Sequence, residues 1–288
     1  VIRYEVVDMF TDRPFAGSTL AVVPDADGLS TEAMGAIAAE LNAAETAFVL
    51  PATAPDATYR VRVFTPTAES PGGGHSCVGT AATLVRTGAV PAGRVVQECG
   101  PARHVLTAQA DRATLTLTGP APGSGLDPAP LLAAVGLAAG DAYGGSPRTE
   151  GFGTPFAFLP VRETALARAE PDPARMAAAA LPALCLLTWD GPRRTARTRL
   201  FAPGFGITED PACAPVAAAL GLWLARTGRL PAEPGSHAYT LRQGAEAGRP
   251  ALLTCTLTVP DGSPPHAAVT GRVTAVAHGR ITTPHPVR

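Results

Sequence analysis

A stretch of this sequence occurs twice, and the repeat limits what the chain can fold into. Arg62-Val-Phe-Thr-Pro66 is answered by Arg199-Leu-Phe-Ala-Pro203, and Glu69-Ser-Pro71 by Glu209-Asp-Pro211. Leu84-Val-Arg-Thr-Gly-Ala-Val-Pro-Ala92 is answered by Leu224-Ala-Arg-Thr-Gly-Arg-Leu-Pro-Ala232. From Glu69 onward the offset is 140 positions, since 209 − 69 and 226 − 86 agree. A weaker third match pairs Gly17–Pro24 with Gly153–Pro160. A long unit present only twice is not a solenoid. It predicts two similar lobes, and a cleft between lobes is a favoured place for a small-molecule site.

Each copy reads as strand, turn and helix. In the first, Tyr59 to Phe64 is a strand and Pro66 opens a turn. A glycine run follows, then a helix from about Cys77 to Thr87, closed by Gly88 as a left-handed cap. Backbone N–H groups at such a helix start have no partner inside the helix and suit a carboxylate or enolate. His75 sits at that start, with Gly73, Gly74 and Ser76 around it. The second helix is expected from about Val216 to Thr227. Both helices are rich in alanine and apolar on nearly every side, which places them inside a curved sheet.

The rest of the chain fits that plan. Strands are expected at Arg3 to Phe10, Leu20 to Pro24, Thr46 to Leu50, Val95 to Cys99, His104 to Gln109 and Thr114 to Thr118. Ser30 caps a helix to about Leu41, with Met34, Ile37, Ala38 and Leu41 on one face. Gly119 to Asp127 reads as a linker. Beyond it come a short helix from Leu131, a helical stretch from Ala165 to Ala180 with a proline interruption, and strands to the end. Val269 to His278 and Ile281 to Pro284 are read as separate pieces. The predicted class is α+β: two pseudo-symmetric lobes, each a curved, mostly antiparallel sheet around a central helix. Residues 1–119 with 279–288 form one lobe, and 120–278 the other.

Composition closes off several functions. With 46% hydrophobic and 16% charged residues the chain can bury a real core. A net charge of −1 gives no basic field for nucleic acid or an anionic membrane. No apolar run approaches the roughly 20 residues that span a bilayer, and Val1 to Asp8 reads as a strand, not a signal peptide. The five cysteines are odd in number, widely spaced and free of CxxC pairs. That points to free thiols, a cytoplasmic setting and no metal site. The sequence contains no lysine, which removes Schiff-base chemistry and a P-loop lysine. No cofactor is expected. The expected partner is a small-molecule substrate, with a homodimer possible.

Together, several pieces resemble the PhzF family, the phenazine-biosynthesis-like isomerases with the diaminopimelate-epimerase fold. They are Val7-Asp-Met-Phe-Thr-Asp-Arg-Pro-Phe-Ala-Gly17, Ala39-Glu-Leu-Asn-Ala-Ala-Glu-Thr-Ala-Phe-Val49, Gly74-His75, Gly206-Ile-Thr-Glu-Asp-Pro211 and Gly271 to Gly279. The resemblance implies two lobes with the site between them, in agreement with the repeat. It implies that Glu45 is the acid/base residue. A carboxyl set beside Ala43, Ala44 and Phe48 loses solvation, the general route by which a base is tuned toward neutral pH. His75 and Asp210 would bind polar groups of the substrate or pass a proton. Asp210 could equally cap the second repeat helix.

The departures are specific. The family's Gly-Asn-Pro is Gly17-Ser18-Thr19 here, and its Gly-His-Pro is Gly74-His75-Ser76. Its Asp-Pro-Ala-Thr-Gly-Ser is Asp210-Pro-Ala-Cys213-Ala214-Pro215. Pro215 has no N–H, so one half of the expected anion grip is altered. Ser18, Gly73, Gly74, Ser76, Cys213 and Ala214 are the expected substrate-binding positions. By the 140-residue offset Cys213 answers Gly73 and Cys77 answers Ala217, so the two thiols are not symmetry mates. The leading reading is a cofactor-free isomerase that moves a proton and a double bond in a small acid of a specialised-metabolite pathway. The alternatives are an amino-acid epimerase or racemase using Glu45 and Cys213, and a non-catalytic ligand binder.

Overall fold

A computed structural model of the chain describes residues 1–70, 74 and 76–284. The chain divides into two compact units, Val1–Thr116 with 270–288, and Leu117–Val269. The elements in order are β1 (Ile2–Met9), β2 (Ser18–Val23), α1 (Thr31–Leu41), β3 (Glu45–Leu50), β4 (Tyr59–Phe64), β5 (Glu69–Ser70), α2 (Ser76–Arg86), β6 (Gly93–Cys99), β7 (Ala102–Gln109) and β8 (Arg112–Leu117). Then follow α3 (Pro128–Ala133), β9 (Arg148–Phe152), β10 (Thr154–Pro160), α4 (Glu163–Arg168), α5 (Pro173–Ala178), β11 (Leu184–Asp190), β12 (Thr195–Ala202), β13 (Ile207–Asp210), α6 (Ala214–Arg226), β14 (Gly235–Gln243), β15 (Ala251–Val259) and β16 (His266–Ile281).

In the first unit the strands run β1-β2-β3-β4-β6-β7-β8-β16, and β1 also pairs with β16. The eight strands therefore close into a barrel. Helix α2 packs on β1, β2, β3 and β7, and Ser76 through Leu84 are all buried. A helix buried on every side, touching strands around the ring, fills the barrel. Outside, α1 lays Met34, Ile37 and Ala38 over Phe48, Leu50 and Phe64. Ser30 Oγ accepts the Ala33 N–H at 3.2 Å to begin that helix.

In the second unit the order is β15-β14-β12-β11-β10-β9. Helix α6 touches both end strands, β9 and β15, so this sheet also curls about its buried helix. Leu131, Leu132, Leu166 and Met176 from α3, α4 and α5 cover its outer face against Leu184, Leu186 and Phe201. The prolines near 171 and 173 divide the expected 165–180 helix into α4 and α5.

Strand sense is the same in both units. β1–β2, β3–β4, β4–β5 and β6–β7 are antiparallel, as are β9–β10, β11–β12, β12–β13 and β14–β15. β2–β3 and β4–β6 are parallel, as are β10–β11 and β12–β14. The sheets are thus mixed, and the reason is connectivity. Parallel neighbours need a crossover, and here helices supply it: α1, α2, α4 with α5, and α6.

The repeat is also kept at atomic detail. Arg62 Nε and Nη2 bind Glu69 at 2.8 and 2.7 Å. Thr87 Oγ1 donates to the Thr83 carbonyl and Thr227 Oγ1 to that of Trp223, at 2.9 and 2.8 Å. Two sequence expectations need correction. Residues 266–281 form one unbroken strand, not two pieces, because β1 pairs along it from Met9↔Val273 to Ile2↔Ile281. The chain consequently re-enters the first unit at 270 and not at the expected 279, and the units meet at 116/117 instead of 119/120.

Candidate active site

Glu45 opens β3. Helix α1 ends at Asn42, whose left-handed conformation (φ 49°) turns the chain back toward the sheet. Three residues later Glu45 enters the parallel pairing with Leu20 of β2. Its side chain is buried with only 6% exposure. The carboxylate acts on two thiols of the same unit. Burial pushes the Cys77 thiol far up, and the negative charge of Glu45 pushes it further. Cys99 is raised to about 11, by burial first and by Glu45 second. Cys77 is the second residue of α2, so the carboxylate and the start of α2 share one region of this unit. The same effects keep both cysteines as thiols, which are poor bases and poor nucleophiles. Cys77 Sγ donates to the Gly74 carbonyl at 3.0 Å.

Ser76 opens α2 and is fully buried; its carbonyl accepts Thr80 Oγ1 at 2.9 Å. Gly74 is half-buried. Gly73 and His75 lie outside the described residues. Ser18 opens β2 opposite Met9 and is buried.

In the second unit, Asp210 ends β13 with 5% exposure. Its Oδ1 accepts the Ala212 N–H at 3.0 Å, and its carbonyl accepts Gln243 Nε2 at 2.6 Å. The first bond is a side chain bracing its own turn. It is not a helix cap: α6 begins at Ala214, and Cys213 is the N-cap residue, without a side-chain capping bond. Cys213 and Ala214 are both buried. Pro215 lies in the first turn of α6, where a backbone N–H would have no partner inside the helix. It fits the helix start while removing one outward donor.

The family model of phenazine biosynthesis-like proteins, PhzC-PhzF, matches residues 7–279. The chain belongs to the PhzC-PhzF family. An uncharacterized isomerase of Mesorhizobium japonicum is 33% identical across 97% of this chain and 98% of its own. The trans-2,3-dihydro-3-hydroxyanthranilate isomerase of Pseudomonas aeruginosa is 31% identical across 87% of this chain and 88% of its own. Among solved structures, a PhzF-family phenazine biosynthesis protein of Bacillus anthracis shares the fold, with a TM-score of 0.86 at 22% identity, over 98% of this chain and 99% of that one. These relationships make the chain an isomerase of the PhzC-PhzF family.

One residue of this PhzC-PhzF protein does not stand out in the sequence. Asp8 is a buried acid in β1. Its Oδ2 accepts the Phe15 N–H at 2.6 Å and its Oδ1 accepts Thr19 Oγ1 at 3.0 Å. It thereby ties down the loop between β1 and β2, in which Phe10 and Phe15 take positive φ values of 63° and 65°, and so positions Ser18. The signal was an acid among apolar strand residues; its partners follow only from the Asp8↔Thr19 register. Among the described residues no cluster of three His, Cys, Asp or Glu is arranged to hold a metal ion, and no helix is long and apolar enough to cross a membrane.

Proposed function

We propose that this chain moves a proton, and with it a double bond, within a small unsaturated or cyclic amino or carboxylic acid of a specialised-metabolite pathway, without a cofactor. The observation that carries the reading is Glu45: a buried carboxylate at a strand start, beside the first turn of α2. In the forward step Glu45 takes a proton from a substrate carbon, and the C–H electron pair moves into the adjoining π system. The resulting Glu45 carboxylic acid then returns the proton to the far end of that system. The proton count balances and one carboxyl serves both halves. His75 and Asp210 hold polar groups of the substrate. Ser18, Gly73, Gly74, Ser76, Cys213 and Ala214 are its other contacts in this reading. Developing negative charge is met by backbone N–H groups of helix starts. With Pro215 in place of a donor, the substrate carboxylate is held by fewer N–H groups, which favours an acid other than the anthranilate type.

The test is turnover in D₂O, followed by NMR. The substrates are trans-2,3-dihydro-3-hydroxyanthranilate and a panel of cyclic, unsaturated amino acids. Isomerisation of one of them, with loss of about 10²–10⁴-fold in Glu45→Gln, supports the reading. Deuterium should appear at the carbon that gains the proton, or be partly excluded if the shielded carboxyl returns the same proton. Normal turnover by Glu45→Gln would exclude Glu45 as the base.

A further inference from the structure

The second unit carries a cavity of about 440 Å³ that the proposed chemistry does not use. That volume lies within the roughly 300–1,000 Å³ of small-molecule sites. Its floor is apolar, formed by Pro160, Val161 and Leu187, with Trp189 and Tyr143 beside them. Glu163, Thr188, Asp190, Arg229 and the Gly144 turn complete it.

The charged groups there are unevenly paired. Glu163 is engaged by Arg197 and accepts Thr188 Oγ1 at 2.9 Å. Asp190 is paired with Arg193 at 2.7 Å. Asp190 thus has its own arginine, while Glu163 shares Arg197 with Glu246. Arg229 has no carboxylate partner among the described residues. It is half-buried, lies 4.9 Å above the Trp223 ring, and spends one donor, Nη1, on the Thr227 carbonyl at 3.2 Å. Burial draws its guanidinium down from the ordinary arginine value, yet a guanidinium remains cationic at neutral pH. Arg229 is therefore a cation at the cavity with unspent N–H donors.

The backbone at this helix exit does not require an arginine. The same helix exit in the first repeat carries Ala89 at the matching position, and its backbone bonds are the same. Ala89 N donates to Leu84 O at 2.9 Å, and Arg229 N to Leu224 O at 2.7 Å. Space has also been left for the side chain. Gly145 takes a φ of 137°, and a Cβ there would come within 3.1 Å of Arg229 Nη2. An unpaired arginine with free N–H donors, at the edge of an aromatic and aliphatic cavity, matches a planar acid.

We propose that this cavity, lined by residues of the second unit and not by Glu45, is a second ligand site that binds a small planar carboxylate. Arg229 takes the carboxylate, and the apolar floor with Trp189 takes the ring.

The experiment is a fluorescence titration of the full chain with benzoate, using the two tryptophans that the sequence contains. One lines the cavity and the other lies under Arg229, so both report on it. Benzoate should quench the emission saturably. Benzamide, its neutral isostere, should bind at least about tenfold more weakly, as loss of a charge-assisted pair predicts. Arg229→Gln should weaken benzoate by a similar factor, and Trp189→Phe should remove much of the signal. Glu45→Gln should leave the benzoate titration unchanged, whatever it does to turnover. Equal binding of benzoate and benzamide by the wild type overturns the proposal, and that comparison stands even if Arg229→Gln fails to fold. Undiminished benzoate binding by a folded Arg229→Gln, absence of any saturable quench, or loss of the response in Glu45→Gln also overturns it.

Discussion

Arg199 grips Glu209 with two parallel hydrogen bonds, Nε to Oε1 at 3.0 Å and Nη2 to Oε2 at 2.8 Å, and its Nη1 donates to the carbonyls of Leu166 and Ala169 at 3.0 and 2.8 Å. The pair is almost out of solvent, with side-chain exposures of 9% and 14%. Its counterpart in the other repeat, Arg62 with Glu69, has the same geometry but exposures of 27% and 41%. Removing one partner of a buried pair strands the other charge. Glu209→Gln should therefore cost about 2–3 kcal/mol in chemical denaturation, and Glu69→Gln less than about 1 kcal/mol. Equal losses would mean that burial does not set the strength of this repeated pair.

The thiols give a second expectation. With Cys99 at about 11, roughly one molecule in ten thousand carries that thiolate at pH 7. Cys77 is raised further, by burial and by the charge of Glu45. Cys77→Ala should leave kcat/KM within about threefold of wild type, and iodoacetamide should inactivate over hours. Abolished turnover in Cys77→Ala would restore a thiol mechanism.

Acid stability is a third. The Glu98 carboxylate accepts the Thr53 N–H at 2.8 Å, the Ala54 N–H at 3.0 Å and the Thr53 hydroxyl at 3.1 Å. These bonds, led by the Thr53 backbone, with Arg103 nearby, hold its carboxyl below the usual glutamate range. A depressed folded value means that the group stabilises the fold fully above its unfolded value of about 4.3. That contribution fades as pH falls through the lower, folded value. Between pH 5 and 3 the Tm of wild type should fall more steeply than that of Glu98→Gln. Parallel curves would show that Glu98 plays no part in acid unfolding.

Two buried tyrosines should respond differently. Tyr239 OH donates to the Ala217 carbonyl of α6 at 2.7 Å, whereas Tyr59 OH is buried with no hydrogen-bond partner among the described residues. Tyr239→Phe should cost about 1 kcal/mol. Tyr59→Phe, which removes an unsatisfied polar atom, should be neutral or stabilising. Calorimetry on both variants decides it, and a clear loss in Tyr59→Phe would show that its hydroxyl is satisfied in solution.

What could be read from the sequence followed from local pattern. The two long helices are apolar all round, so their burial in curved sheets was legible, and the repeated Arg and Glu positions proved to be the same ion pair in both units. What could not be read depends on contacts between distant strands. Val269 to His278 and Ile281 to Pro284 read as separate pieces, yet β16 runs through Gly279, where the Tyr4 ring of β1 packs over the bare Cα. The anchoring role of Asp8 needs the β1–β2 register. The turn role of Asp210 needed the start of α6, whose N-cap position, Cys213, lies three residues beyond Asp210.

The closure of the barrel also sets an order of events. Ile2 of β1 meets Ile281 of β16, while the whole second unit, 117–269, lies between them along the chain. During synthesis the second unit is complete as soon as residue 269 has emerged. The first unit, begun earlier, still holds an open seven-stranded sheet with unpaired edges at β1 and β8. Until β16 arrives, those edges are open to pairing with another strand. The unit started first is the one that finishes last.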